Sequence, residues 1–369
     1  MNTVTHHIHE EESICEQSKK VASHIFIDGF GGMTQGLFAT LIIGTMIQQI
    51  GLLIGGSTGN VIYLLGKAAA ALTSAGIGVG VAVKYGESPL VTVSAAVAAM
   101  VGGYAGKITG GTFFVDGNAV LAGPGEPLGA FIAAFAGITC GHLVSGKTKV
   151  DIIVTPVITI GAGSVVGLLV GPPISQMMTG LGSIINWATE QRPFIMGIVV
   201  SVVMGMVLTL PISSAALGII LNLSGLAAGA ATIGCCCNMV GFAVASYREN
   251  GFSGLLSIGT GTPLLLLPNI LKNPFLLLPP ILSSAILGPL GVLLGKMQSS
   301  PNGSGLGTMG LMGQTTTWET MTAGEAPQMV FLKILLFHFI LPGVLTLFIA
   351  NGMRKLNLIK SQDMLLHTT

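Results

Sequence analysis

The chain has 369 residues, of which 51% are hydrophobic and 8% are charged, against roughly 25% charged residues in a soluble domain. So few charged side chains cannot cover a soluble fold, and a net charge of +1 excludes nucleic-acid binding through a basic surface. The composition therefore predicts an all-α polytopic membrane protein, and the 54 glycines fit close packing between its helices.

The first segment, residues 1–23, is polar and is predicted to be a cytoplasmic tail. It lacks the apolar core and the cleavage site of a signal peptide, so we expect the first spans to direct insertion. His6, His7 and His9 lie in this tail, where a frayed segment is favoured over a metal site.

Apolar runs long enough for a bilayer of about 30 Å follow along the chain. They predict about ten transmembrane helices, at residues 37–54, 61–83, 90–105, 128–144, 152–170, 194–210, 226–246, 252–267, 275–294 and 329–350.

Charge and patterning divide these spans into two membrane halves. The halves are residues 24–171 and 193–350, and residues 172–192 between them have the pattern of an amphipathic interfacial helix. Residues 351–369 form a second polar tail. Because lysine and arginine concentrate in alternate short loops, both termini are predicted to be cytoplasmic.

Two segments are too long for simple loops in a compact bundle. Residues 107–127 and 297–328 are rich in glycine and threonine, and we interpret them as re-entrant hairpins. The first segment ends with Glu126-Pro127, and the second contains Glu325-Ala-Pro327 near its end. A span follows each of them. Spans 61–83 and 226–246 are each followed by a Tyr and a Glu, Tyr85 and Glu87 in one case and Tyr247 and Glu249 in the other. The two matches occur in the same order and favour an inverted repeat.

The break at Gly123-Pro-Gly-Glu-Pro127 is the first candidate binding site. Its glycines and prolines forbid a regular helix, so backbone groups are free, and the Glu126 carboxylate can accept hydrogen bonds from a hydroxylated solute. Asp116 and Asn118 add a carboxylate and an amide if the segment folds back. An exposed turn is the alternative interpretation.

A second polar cluster consists of Tyr247, Arg248, Glu249 and Asn250. Planar polar groups beside an aromatic ring are suited to sugars, whereas a simple Arg248–Glu249 ion pair is the alternative. Asn238 lies within a span, where an interhelical hydrogen bond is as plausible as a ligand contact.

A third cluster, Asn269, Lys272 and Asn273, lies between two prolines that interrupt the helix. It suits a hydroxylated or anionic solute, and the alternative is a cytoplasmic loop whose lysine sets topology.

No cofactor, metal site or catalytic residue is predicted. The consecutive thiols at residues 235–237 point in different directions along a helix, so we interpret them as buried and structural. His142 and His338 are interpreted as core histidines. Phosphate-loop, dinucleotide and zinc-helix motifs are absent from the sequence, so any chemistry is expected to come from a partner.

The sequences GPGEPLGAF, NMVGFAVASYRENG and PNILKNPFLLLPP resemble the membrane IIC subunits of the bacterial phosphotransferase system. The branch of perfringolysin O regulator-like membrane proteins is the nearer match, and the resemblance covers nearly all of the chain after about Lys20.

The resemblance implies a homodimer in the bacterial plasma membrane. It also implies a sugar held near the midplane by hairpins and a glutamate, alternating access, and phosphorylation by a separate IIB protein. Glu126 matches the hairpin glutamate, although Gly125 stands where the glucose-type motif has threonine. No IIA or IIB domain is expected within the chain, so these partners would act in trans.

Three functions are therefore compared. The first is a IIC-type transporter of a sugar or similar small polar solute, which is at most the membrane subunit of a phosphotransferase. The second is a membrane sensor that binds such a solute without transport. The third is an ion-coupled carrier of an organic anion that uses Glu126 and Lys272.

Overall fold

The computed structural model describes residues 28–115, 117–121 and 123–366, which are almost entirely helical. Six of the described helices are long and apolar enough to cross a membrane, or seven if one bent pair forms a single span. Three further apolar helices have 10–17 residues. The predicted all-α membrane class is confirmed, whereas the count of ten spans stays a prediction.

In the part of the first half that the structure describes there are seven helices and one short β-hairpin. They are α1 (Phe30–Ile54), α2 (Gly56–Ala71), α3 (Thr73–Lys84), α4 (Pro89–Gly103), α5 (Ala105–Thr109), β1 (Phe114–Val115), β2 (Asn118–Ala119), α6 (Pro127–Val144) and α7 (Asp151–Thr189).

Besides the short π-helix Ser257–Gly261 and the short 3-10 helix Met309–Leu311, the described part of the second half continues with nine helices. They are α8 (Pro193–Thr209), α9 (Ser214–Ile220), α10 (Gly225–Ala245), α11 (Tyr247–Leu256), α12 (Pro263–Lys272), α13 (Pro274–Gly295), α14 (Pro301–Ser304), α15 (Met312–Thr322) and α16 (Pro327–Lys355).

Proline begins several of these helices. Pro89, Pro127, Pro193 and Pro327 each occupy an N-terminal helical position, where the missing N–H would have no helical partner. Because proline disfavours helix in the residue before it, these positions mark the helix starts in the sequence.

Helix α7 departs from the predicted organisation. Its 39 residues run without interruption through Pro156, Pro172 and Pro173, so residues 172–189 continue the helix that begins at Asp151 instead of forming a separate one. The interfacial location of residues 172–192 stays a prediction. At 1.5 Å per residue α7 is roughly 58 Å long, about twice the thickness of a bilayer core. Prolines are tolerated within such helices because neighbouring groups can satisfy the freed carbonyls.

Helix α10 is the centre of the second half and is buried over almost its whole length. A Cβ added to Gly234 would lie 1.9 Å from the Ser201 carbonyl oxygen of α8, and one on Gly229 would lie 2.0 Å from the Met297 carbonyl oxygen. Glycine therefore permits the backbones to approach closely. The thiols at residues 235–237 are fully buried on this helix, as their structural interpretation requires.

The helices pack in two similar triplets. In the first half α3, α4 and α6 pack against one another, and in the second half α10, α13 and α16 do so. Both α6 and α16 begin with proline shortly after a glutamate, Glu126 and Glu325 respectively. This order supports the repeat, whose inverted orientation in the membrane stays a prediction.

We expect the substitution Gly234→Ala to destabilise the second half by about 1–3 kcal/mol, because the methyl group forces α8 and α10 apart. The measurement is the midpoint of thermal unfolding in detergent. Gly161→Ala on α7 is the matched control, since no atom lies within 4 Å of its added Cβ. Equal midpoints for the two variants would contradict the packing argument.

Candidate functional site

The break that contains Glu126 is fixed to the ends of α3 and α4. The Ser74 hydroxyl donates to the Pro124 carbonyl at 3.0 Å, and the Glu126 N–H donates to the Gly103 carbonyl at 2.7 Å. The Tyr104 hydroxyl donates to the Gly123 carbonyl. The backbone freed by glycine and proline is thereby satisfied within the protein, and the position of the carboxylate is set.

Gly125 is required at its position for two reasons. Its φ of +77° lies in the left-handed region, and a Cβ there would lie 2.4 Å from the Ser74 hydroxyl oxygen. The glycine where the glucose-type motif has threonine is therefore explained by the local backbone.

A cavity of about 790 Å³ adjoins this break. Its walls come from the ends of α4 and α5, the 123–126 segment, the second half of α7, and α9. The lining residues are Gly102, Gly103, Gly106, Lys107, Gly123, Pro124, Gly125, Glu126, Gly129, Gly171, Ile174, Met178, Thr179, Gly182, Ser183, Asn186, Ala215, Ala216, Leu217, Ile219, Ile220 and Leu221.

Glu126 lies where the two halves of the chain meet. It precedes α6 and is half-buried, and its Oε1 accepts the Ser213 N–H at 3.3 Å from the loop that begins α9. Burial raises the pKa of its carboxyl from 4.5 to about 7, and the hydrogen bond from Ser213 opposes that rise. The carboxyl can therefore both accept hydrogen bonds and carry a proton near neutral pH.

Comparison with known families identifies the chain. The family model "Phosphotransferase system, EIIC" matches residues 27–366, nearly the whole chain. The chain belongs to the phosphotransferase system EIIC family. The predicted resemblance is confirmed at this level, and the perfringolysin O regulator-like branch stays a prediction. No curated protein matches the sequence significantly.

Membership of the EIIC family makes this a multi-pass membrane transporter of the phosphotransferase type. EIIC domains work in the membrane together with separate IIA and IIB components.

The EIIC cavity contains polar groups that sequence reasoning missed. Lys107 lies on α5 with its Nζ 5.4 Å from the centre of the Tyr104 ring, and Thr179, Ser183 and Asn186 lie on α7. The three α7 residues recur every three or four positions, which places them on one helix face. This spacing can be read in the sequence, where it indicates an amphipathic helix but does not identify the polar face as the wall of a cavity.

Of the predicted site residues that the structure describes, Glu126 lines this cavity and the others lie elsewhere. Asn118 is exposed in the β-hairpin, within a segment predicted to be re-entrant. Asp116 lies outside the described residues.

Asn238 is buried between α8 and α10. Its Oδ1 accepts the Thr209 hydroxyl at 2.9 Å, and its Nδ2 donates to the Gly234 carbonyl at 3.0 Å. The amide thus makes the interhelical hydrogen bond that was the alternative to a ligand contact.

The cluster at residues 247–250 contacts the end of the chain instead of the cavity. Glu249 pairs with Arg354 at 2.8 Å, not with Arg248. Asn250 donates to the Met364 carbonyl at 2.7 Å and accepts the Leu366 N–H at 2.8 Å. Tyr247 and Arg248 are exposed.

The cluster at residues 269–273 holds the same segment, residues 356–366, which we call the tail segment. Asn269 donates to the Asp363 and Leu365 carbonyls at 2.9 Å each. Asn273 donates to the Leu358 carbonyl at 3.0 Å and to the Asp363 carboxylate at 2.8 Å. Lys272 is exposed beside them.

The asparagine side chains are therefore already engaged by the protein. Ile359 and Met364 of the tail segment are 1% and 0% exposed, so apolar burial accompanies these hydrogen bonds. The sequence does not predict these hydrogen bonds, because the asparagines and their partners in the tail segment are about 90 to 115 positions apart.

The two histidines differ from each other. His142 is a surface residue whose Nδ1 lies 3.0 Å from Glu87 Oε1, so its interpretation as a core histidine is wrong. His338 is fully buried, and its Nε2 has no hydrogen-bond partner within the described chain. Within the same residues, no group of three or more His, Cys, Asp or Glu side chains is arranged to hold a metal ion.

The raised pKa of Glu126 predicts a pH-dependent stability. The unfolded chain releases this proton near pH 4.5 and the folded chain near pH 7, so the folded state binds more protons between those values. We expect the free energy of unfolding in detergent to fall as pH rises from 4.5 to 7, and Glu126→Gln to remove that part of the fall. In Glu325→Gln, which loses a carboxylate paired with Lys333 at 2.7 Å, the fall should persist. A profile unchanged by Glu126→Gln would contradict the assignment.

The asparagine contacts predict that Asn269→Ala loosens the tail segment. Losing two hydrogen bonds should speed trypsin cleavage at the exposed Lys360 about tenfold or more. Limited proteolysis followed by mass spectrometry measures the rate. Gln191→Ala is the control, because that amide donates to the Trp187 carbonyl four residues earlier and does not contact the tail segment. Equal cleavage rates in the two variants would show that the asparagine does not hold the segment.

Proposed function

We propose that the chain moves a sugar or a similar small polar solute inward across the bacterial plasma membrane by alternating access. In this proposal Glu126 binds the solute, and separate IIA and IIB proteins supply the phosphoryl group. Both termini face the cytoplasm, as the lysine and arginine distribution predicts, and the protein acts as a homodimer, as the family resemblance implies.

One observation carries the proposal. The Glu126 carboxylate belongs to the first half of the chain, lines a cavity of about 790 Å³, and accepts a hydrogen bond from Ser213 at the edge of the second half. A partly buried carboxylate beside a break in the helices is a common way to hold a solute in transporters.

The geometry also suggests how movement would be coupled to binding. Because Glu126 and Ser213 lie on opposite halves, a displacement of one half relative to the other changes the surroundings of the carboxylate. A solute hydroxyl that binds Glu126 in one arrangement would lose part of its contacts in the other. Such a difference in affinity between two states is what alternating access requires.

The remaining cavity polar groups fit a hydroxylated solute. Lys107 can donate, Asn186 can donate and accept, and the Thr179 and Ser183 hydroxyls can do both. The aliphatic lining from Ile174 and the α9 residues would contact the apolar faces of a sugar ring.

Uptake into proteoliposomes tests the proposal. The probes are radiolabelled glucose, mannose, galactose, N-acetylglucosamine, mannitol and ribitol, with purified IIA and IIB components and phosphoenolpyruvate supplied. We expect at least one probe to accumulate as its phosphate ester. Glu126→Gln should lower its uptake about tenfold or more, because a hydrogen bond to an ionised group is worth roughly 1.5–3 kcal/mol.

Glu325→Gln is the control, since its carboxylate pairs with Lys333 outside the cavity lining. Binding without uptake would favour the sensor over the transporter. Uptake that is independent of the phosphotransferase partners would favour the ion-coupled carrier.

A further inference from the structure

Three side chains in the second half are among the five in the described chain that carry a buried polar atom without a hydrogen-bond partner. They are Gln314 and Thr317 on α15 and His338 on α16, which are 8%, 0% and 0% exposed. Their atoms Gln314 Oε1, Thr317 Oγ1 and His338 Nε2 make no hydrogen bond there. An unsatisfied buried polar atom is costly because it gives up its hydrogen bonds to water, so three within one cluster require an explanation.

These three residues form one cluster. Gln314 Nε2 lies 3.2 Å from His338 Nδ1 and 3.5 Å from Cys236 Sγ. Thr317 follows Gln314 by one helical turn on the same face of α15. Their hydrogen-bond partners in the described chain include no carboxylate, lysine or arginine, so the cluster is uncharged apart from any titration of His338.

The cluster offers a complementary set of groups. When the Gln314 amide donates to His338 Nδ1, the imidazole proton lies on Nε2, which becomes a donor. Gln314 Oε1 then remains as an acceptor, and the Thr317 hydroxyl can do both. A donor, an acceptor and a hydroxyl match what an alcohol group both offers and requires.

The backbone around the cluster is irregular. Gly307, Gly310 and Leu311 adopt positive φ just before α15, and a left-handed conformation is unfavourable for a leucine because its Cβ approaches the following carbonyl oxygen. His338 lies in a π-helical turn, Leu335–Ile340, within α16. Strained backbone and π-turns in membrane helices concentrate where ligands bind.

The cluster also adjoins the first half of the chain. The Thr315 hydroxyl, next to Gln314, donates to Gln49 Oε1 of α1 at 3.3 Å. Gln49 is 6% exposed, so a buried polar contact joins the two halves at α15. The cluster therefore lies beside a junction that must rearrange if the halves move relative to each other.

We infer that Gln314, Thr317 and His338 form a second, uncharged site, which binds hydroxyl groups of the neutral solute that the protein transports. The inference rests on the proposed function and assigns the second half its own part of the solute path. Glu126 provides a carboxyl contact from the first half, and this cluster provides amide, hydroxyl and imidazole contacts from the second.

Two adjacent threonines make a matched test. Thr317 is the residue with the unpaired hydroxyl, whereas the Thr316 hydroxyl lies 3.1 Å from the Ser299 hydroxyl and donates to the Met312 carbonyl at 2.9 Å. Both are buried on α15, and valine replaces threonine with little change of shape. Affinity is measured by equilibrium binding of the same six labelled sugars and sugar alcohols to the full-length protein in detergent, and stability by thermal unfolding.

We expect Thr317→Val to weaken binding of the preferred probe about two- to tenfold, the range that the loss of one hydrogen bond gives, without lowering the unfolding midpoint. Thr316→Val should lower the midpoint and leave the affinity unchanged.

The outcomes separate this inference from the proposed function. If Glu126→Gln weakens binding while Thr317→Val keeps full affinity, the proposed function stands and the second site is overturned. A lower midpoint with full affinity in Thr317→Val would show that the cluster holds only a structural water. If the wild-type protein binds none of the six probes, both proposals fail for neutral hydroxylated solutes.

Discussion

In the hydrocarbon core of a membrane, a polar group must find its hydrogen-bond partner inside the protein. This constraint determines where the few polar residues of the chain lie and what they contact. Asn238 bonds across two helices, Asn269 bonds to the tail segment, and Glu325 pairs with a lysine. These residues hold the fold together. Glu126 and the Gln314 cluster keep hydrogen-bonding capacity that the described chain does not use, which is why we propose them as the contacts for a solute.

Much of the architecture could be predicted because it depends on local sequence. The predicted spans 128–144 and 226–246 differ by about one residue from the helices Pro127–Val144 and Gly225–Ala245. Proline and glycine mark such boundaries through their own backbone limits. The break at Glu126 was predictable for the same reason.

Other features could not be predicted because they depend on residues distant in sequence. Asn269 and Leu365 are 96 positions apart, and only the folded chain brings them together. Glu126 and Asn269 both lie beside prolines that interrupt a helix, yet Glu126 lines a cavity and Asn269 holds the tail segment. Lys107 belongs to the cavity for a similar reason, since α5 brings it there. The continuity of α7 through its prolines is likewise a property of the bundle, not of the segment.

The buried thiols at residues 235–237 have a practical consequence for following the movements of this protein. Reagents such as maleimide spin labels and fluorophores need access to a thiolate, and these three sulfur atoms are sealed within the most enclosed helix. Once Cys15 and Cys140 are replaced, cysteines introduced at exposed sites on either half could therefore be labelled without also replacing the buried triplet, and distances between the two halves could be followed by spectroscopy during turnover.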